Sequence, residues 1–210
     1  VCLGRYTRLN RWLSGANKSY EAEIELGATS PTGDAQGQIA LREEVDRPGL
    51  ATVESTLERF VGVQQQQPPV YSAIKIDGVP SYKRARRGED VQLRPRQITI
   101  HAIERIQYDY PILTIRVNCS SGTYIRSLAA DLGVALGTGA YLADLRRTSV
   151  GRLDLAKALM LEEVAVRQEA GCIHEAFVPS RLALDQLESV DLEEEDLRDF
   201  TFGRAVPIQP

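Results

Sequence analysis

The sequence is poor in the residues that build metal and disulfide centres. It holds three cysteines and two histidines. Cys2, Cys119 and Cys172 are widely spaced and form no Cys-x-x-Cys, which argues against a disulfide frame or a thiolate metal cluster and points to reduced thiols in a cytoplasmic protein. His101 and His174 lie far apart, so no histidine-based metal site is expected. No apolar run approaches the roughly 20 residues of a membrane span. Val1-Cys2-Leu3-Gly4-Arg5 has no charged stretch leading into an apolar one, so no signal peptide is expected. Glycine-rich phosphate loops and dinucleotide fingerprints are missing, and no Ser, His and Asp set has a supporting spacing. What remains is a chain of 210 residues, 43% hydrophobic, enough for one good core and a small second unit.

A net charge of −4 would by itself disfavour a nucleic-acid partner. Its distribution reverses that reading. Residues 1–165 carry 21 Lys and Arg against 19 Asp and Glu, whereas residues 166–210 carry 4 against 10. The acidity belongs to the tail. Two basic blocks, Arg5, Arg8, Arg11 and Lys18, then Lys83, Arg84, Arg86, Arg87, Arg94, Arg96 and Arg105, suit phosphate contact and equally a solvated face.

Strand periodicity is clearest where Tyr20, Ala22, Ile24 and Leu26 alternate with Glu21, Glu23 and Glu25. Residues 29–37 are dense in turn formers, and 38–41 resume a short strand. Thr52 is the expected N-cap of a helix with Val53, Leu57 and Phe60 on its apolar face, closed by Gly62. The glutamines at 64–67, followed by Pro68-Pro69, receive no role. Residues 71–79 read as a hairpin turned by Asp77-Gly78, and 81–87 as a basic helix. Strands are expected at 1–3, 91–93, 97–107 and 113–119, and helices at 161–169 and 193–202. The last of those strands ends at Ser120-Ser121-Gly122. From Ile125 the apolar spacing turns helical through Leu128, Ala129, Leu132 and Leu136. Tyr124 and Arg126 therefore sit at a strand-to-helix junction. Taken alone they read as a core-edge wedge and a surface cation. The fold class is α+β, a mixed, largely antiparallel sheet with inserted helices.

Seven strings occur in order: Lys18-Ser19-Tyr20-Glu21-Ala22; Thr32-Gly33-Asp34-Ala35-Gln36-Gly37; Pro68-Pro69-Val70-Tyr71-Ser72-Ala73-Ile74-Lys75; Asp77-Gly78 with Tyr82 and Ala85-Arg86; Cys119 to Arg126; Asp131-Leu132-Gly133; and Leu145-Arg146-Arg147. Together they closely resemble the bacterial tRNA pseudouridine-55 synthases, the TruB family, from residue 1 to about 164 and more faintly beyond. The resemblance implies the pseudouridine synthase catalytic fold, incomplete at the N-terminus, over 1–178. It also implies a linker and the start of a C-terminal RNA-binding extension over 179–210, with 189–207 resembling its first helix and strand.

The implied reaction isomerises a T-loop uridine of tRNA after base flipping, with no cofactor and no metal. The partner is the tRNA T-arm, there is no membrane, and the protein is expected to be a monomer. By matched position Tyr20 resembles the tyrosine that packs on the target base and helps remove the C5 proton. Arg126 resembles the arginine paired with the nucleophilic aspartate, Tyr124 a tyrosine lining the nucleotide pocket, and Leu145 the pocket floor. Asp34 lies in a loop beside the pocket. Lys75 lies in a family motif, positioned to meet RNA or Asp34. The catalytic Gly-Thr-Leu-Asp-Pro motif resembles nothing in these residues, so the nucleophile is expected upstream of Val1 and the 210 residues alone are expected to be inactive. Two further departures stand out: Ser30-Pro31-Thr32 replaces the usual Thr-Asp-Thr, and Tyr141 replaces the usual histidine. The alternatives are a non-catalytic RNA-binding or tRNA-folding protein, and the guide-RNA-dependent branch of the superfamily.

Overall fold

Strands that put their apolar residues on one face need a second layer over it, and in the computed structural model of the chain helices supply it. It describes residues 2–206 other than 44, 185, 186 and 189. A 3-10 turn over Gly4–Leu9 runs into α1 (Asn10–Gly15). There follow β1 (Lys18–Leu26), β2 (Ala28–Thr29), β3 (Ala40–Leu41), α2 (Leu50–Arg59), β4 (Gly62–Gln66), β5 (Lys75–Ile76), β6 (Val79–Pro80) and α3 (Ser81–Ala85). The second half holds β7 (Arg96–Asp109), β8 (Ile112–Cys119), α4 (Ile125–Ala135), β9 (Ala140–Val150), β10 (Leu153–Asp154), α5 (Leu161–Glu169), α6 (Ser180–Ala183) and α7 (Glu194–Thr201).

Six of the strands form one sheet in the order β10-β9-β1-β8-β7-β4, with every neighbouring pair antiparallel. The parallel component is one isolated bridge between Asp34 and Leu142. β1 lies in the middle, Tyr20 opposite Val117 on β8 and Arg147 on β9. The alternation of β1 becomes two faces. Ala22, Ile24 and Leu26 join Leu113, Ile115 and Val117 under Val53 and Leu57 of α2 and Leu128 and Leu132 of α4, all buried. Full burial of each such Leu or Ile contributes about 1.5–3 kcal/mol. On the opposite face Arg116 bridges Glu21 at 2.9 Å and Glu104 at 3.4 Å across three strands.

Two expectations are corrected. Helix α2 starts at Leu50, not after Thr52, because Gly49 takes an extended N-cap conformation and its carbonyl accepts the Val53 N–H. Residues 91–93 form no strand; Val91 and Leu93 are buried as irregular chain, with Gln67 donating to the Leu93 carbonyl. Three residues of the glutamine run, Gln64 to Gln66, belong to β4. Cys2 and Leu3 take no regular structure, and Val1 lies outside the described residues, as do Ser189 and Pro207 of the expected terminal helix and strand. The Asp77-Gly78 turn forms as expected, both residues at positive φ.

Candidate active site

The junction after β8 is assembled from backbone outward. Gly122 takes a φ of +83°, open to glycine. Thr123 Oγ1 donates to the Ser120 carbonyl at 3.0 Å. Tyr124 then serves as the N-cap of α4, which has no side-chain cap and no acid in its first turn. Arg126, one residue into the helix, reaches back across the chain. Its Nη1 donates to Asp34 Oδ2 at 3.0 Å and to the Thr32 carbonyl at 3.2 Å, and its Nη2 donates to the Tyr71 carbonyl at 2.8 Å.

Asp34 is held as firmly. Its Oδ1 accepts Thr32 Oγ1 at 2.7 Å and the Gln36 N–H at 3.1 Å. The loop docks on β9 because Leu142 donates to Gly33 and Ala35 donates to Leu142. Gly33 sits at φ +75°, and a Cβ there would meet Arg126 Cβ at 3.3 Å, so the glycine permits both the turn and the approach of the arginine. Pro31 fits this loop: it occupies the second position of a turn closed by the Gly33 N–H to the Ser30 carbonyl, where its fixed φ is favourable. Side chains of Arg126 and Asp34 keep 23% and 21% of their surface, so the pair is partly desolvated and stronger than a surface ion pair.

Tyr20 packs half-buried against the core cluster, across the β1–β9 pairing from Arg147. Burial pushes its hydroxyl pKa up, Cys119 adds to the rise, and Arg147 opposes it. Tyr20 therefore stays protonated at neutral pH. Lys18, next on the same face, donates to the Ser14 and Ala16 carbonyls at 2.9 and 2.6 Å; burial, and after it Arg147, lower its pKa. A cleft of about 480 Å³ opens beside these two cations, lined also by Thr7, Asn10 and Ser14. Leu145, across from Ala22, is 41% exposed.

Arg126 and Asp34 thus meet, Tyr124 stands two residues before Arg126 at the start of α4, and Tyr20, Arg147 and Leu145 share the neighbouring strands. Lys75 stands apart, exposed in β5, and makes no ion pair with Asp34 among the described residues. Arg126 already holds one carboxylate of this chain, that of Asp34, a pairing the sequence reading did not assign. Tyr141, at the place of the usual histidine, donates to Glu25 at 2.5 Å, and chiefly that carboxylate, then burial, pushes its pKa up to about 12. Sequence reasoning missed Gln66, which is buried and bonds both backbone polar groups of Tyr124. A polar side chain just before two prolines at a strand end was the signal available.

Residues 1–125 match the model of the TruB family pseudouridylate synthase N-terminal domain, and residues 126–194 that of the tRNA pseudouridylate synthase B C-terminal domain. The chain is 42% identical over 208 residues to tRNA pseudouridine synthase B of Dechloromonas aromatica, covering 99% of the chain and 69% of the relative. It is 48% identical over 168 residues to that of Cupriavidus metallidurans, covering 78% and 52%. Among solved structures it resembles a chain of a Cbf5-Nop10-Gar1 complex, with a TM-score of 0.73, 25% identity, and coverage of 97% of this chain and 54% of that one. A chain of an H/ACA RNP bound to a substrate RNA shares the fold at a TM-score of 0.61 and 23% identity, covering 88% and 47%. The chain spans 47–69% of the lengths of these proteins. Strands from both matched segments pair in one sheet, so position 125/126 does not divide two folding units.

Proposed function

Because the chain belongs to the TruB family of pseudouridylate synthases, we propose that it forms the main body of an isomerase that converts uridine 55 in the T-arm of tRNA to pseudouridine. A flipped uridine lies between Tyr20 and Leu145. An aspartate from outside these 210 residues attacks the nucleotide, the C1′–N1 bond breaks, and the base turns. C5 then bonds to C1′, the bond to the aspartate breaks and returns the carboxylate, C5 loses its proton and N1 gains one, so the product is an isomer of the substrate. Residues 1–178 supply this catalytic body, and 179–210 begin an RNA-binding extension.

The observation that carries this reading is the state of the Arg126 guanidinium. Nη1 and Nη2 make three hydrogen bonds that lock its plane. Among the described residues the Nε–H and one Nη2–H have no acceptor, and a guanidinium can offer such donors to a second carboxylate. Asp34 keeps the arginine fixed and offsets part of its charge, and the free N–H donors still face a second acceptor. An anionic nucleophile placed there would stay ionised, as a carboxylate beside a fixed cation does.

The test is pseudouridine formation on tRNA, followed by tritium release from uracil-labelled transcript. The intact protein should act on wild-type transcript and fail when position 55 is cytidine. The 210 residues alone should bind the T-arm without turnover; turnover by them would mean that another nucleophile exists. Tyr20→Phe in the intact protein is expected to lower kcat about 100-fold with tRNA affinity unchanged, because it deletes one positioned proton-transfer group and keeps the ring. A rate within threefold of wild type would remove the Tyr20 hydroxyl from the chemistry.

A further inference from the structure

The four consecutive glutamines are alike in sequence and separated by the fold. Gln65 faces solvent, Gln64 donates to the Phe60 carbonyl of its own turn, and Gln67 donates to Leu93. Gln66 is 3% exposed, and its carboxamide spans one residue of a different element. Oε1 accepts the Tyr124 N–H at 2.8 Å, and Nε2 donates to the Tyr124 carbonyl at 3.0 Å. That carbonyl also accepts the Leu128 N–H, an opening bond of α4. Since α4 has no side-chain cap, the amide of a distant strand does the work of fixing where the helix starts.

The contacts on either side run between the same segments. The Gln67 carbonyl accepts Ser127 Oγ at 2.8 Å, and the Tyr71 carbonyl accepts Arg126 Nη2 at 2.8 Å. Pro68 and Pro69 stiffen the chain between these acceptors. Residues 66, 67 and 71 therefore grip 124, 127 and 126. The grip is centred on the amide, the one member of the set that is both donor and acceptor.

We infer that Gln66 is a positioning residue of the reaction: it holds both backbone polar groups of Tyr124 and so sets the helix start from which Tyr124 and Arg126 are presented. The inference rests on the isomerase reading above. Methionine fills nearly the same space and offers neither bond. Glutamate keeps the acceptor but sets a carboxylate oxygen against the Tyr124 carbonyl.

In the intact protein, Gln66→Met is expected to lower kcat about 100-fold, the scale of a small misplacement of reacting groups, with KM for tRNA within twofold. Gln65→Met is expected to change neither. If Gln66 acts through the groups it positions, the loss shrinks to less than threefold when Arg126→Lys is already present, because interacting residues are not additive. Equal losses in both backgrounds, a Gln66→Met rate within threefold of wild type, or a change in KM alone would overturn the inference. Should Gln66→Met not fold, Gln66→Glu carries the same comparison in both backgrounds. Absence of pseudouridine formation by the wild-type protein would instead overturn the isomerase reading.

Discussion

Arg126→Ala is expected to lower the rate of pseudouridine formation about a thousandfold while tRNA affinity stays within a few-fold of wild type. Removing a preorganised charge that acts on the reacting group has an effect of about 100- to 1000-fold. Arg126 lies at the upper end, because the substitution also strands Asp34 and leaves two carbonyls, Thr32 and Tyr71, without their donor. Binding is spared because the side chain is three-quarters enclosed and is directed at protein groups. The loss should therefore appear in kcat and kcat/KM alike, the signature of an interaction made in the transition state. Arg126→Lys is expected to recover little. An ammonium keeps the charge but cannot hold Asp34 and Tyr71 and still offer an edge to a second carboxylate. Single-turnover tritium release with filter binding checks both halves, and a rise in Kd that matches the rate loss would make Arg126 an RNA contact instead.

Gly133→Ala is expected to destabilise the fold by about 3 kcal/mol, lowering Tm by about 10 °C for a domain of this size. The direction is the reverse of what helix propensity gives, since alanine normally stabilises a helix interior by about 1 kcal/mol relative to glycine. Here α4 lies against the start of β9 with no room for a methyl group. A Cβ on Gly133 would overlap the Ala140 nitrogen and the Gly139 carbonyl carbon and sit 2.6 Å from Ala140 Cβ. The two closest are backbone atoms and the third is the Cβ attached to that backbone, all tied in place by hydrogen bonds from Thr138 and Gly139 to the Gly133 carbonyl, so α4 or β9 has to move. The neighbouring Val134→Ala, at a side chain 77% exposed, is the control and should stay within about 0.5 kcal/mol of wild type. Thermal unfolding of both variants decides the matter. A Gly133→Ala protein as stable as wild type would mean that the contact yields easily.

Local patterns carried much of this fold in the sequence. The alternation of β1 and β8, the helical spacing of α4 and α5, and the Asp77-Gly78 turn depend on neighbours a few residues away, and all appear where the pattern puts them. The start of α2 was misplaced because the extended Gly49, not a side chain, supplies the cap. Residues 91–93 have a strand-like composition, but they join no ladder among the described residues, and Leu93 is held instead by the Gln67 side chain. The pairing of Asp34 with Arg126 spans 92 residues, and the grip of Gln66 on Tyr124 spans 58. No periodicity in a single sequence encodes such distances. Order of motifs marked Asp34, Tyr124 and Arg126 as members of one site; only the three-dimensional arrangement assigns Asp34 to Arg126.

The central place of β1 has a consequence for how the molecule is made. Its partners are β8 and β9, so a ribosome has delivered β1 about 90 residues before either neighbour exists. Until residue 150 emerges, the strand bearing Tyr20 has at least one bare edge, and its apolar face waits for α4. Long-range pairing of this kind is slow and leaves strand edges exposed to other chains. The three acidic side chains on its opposite face, Glu21, Glu23 and Glu25, then serve a second purpose: like charges discourage two nascent copies from pairing β1 with β1 before the proper neighbours arrive.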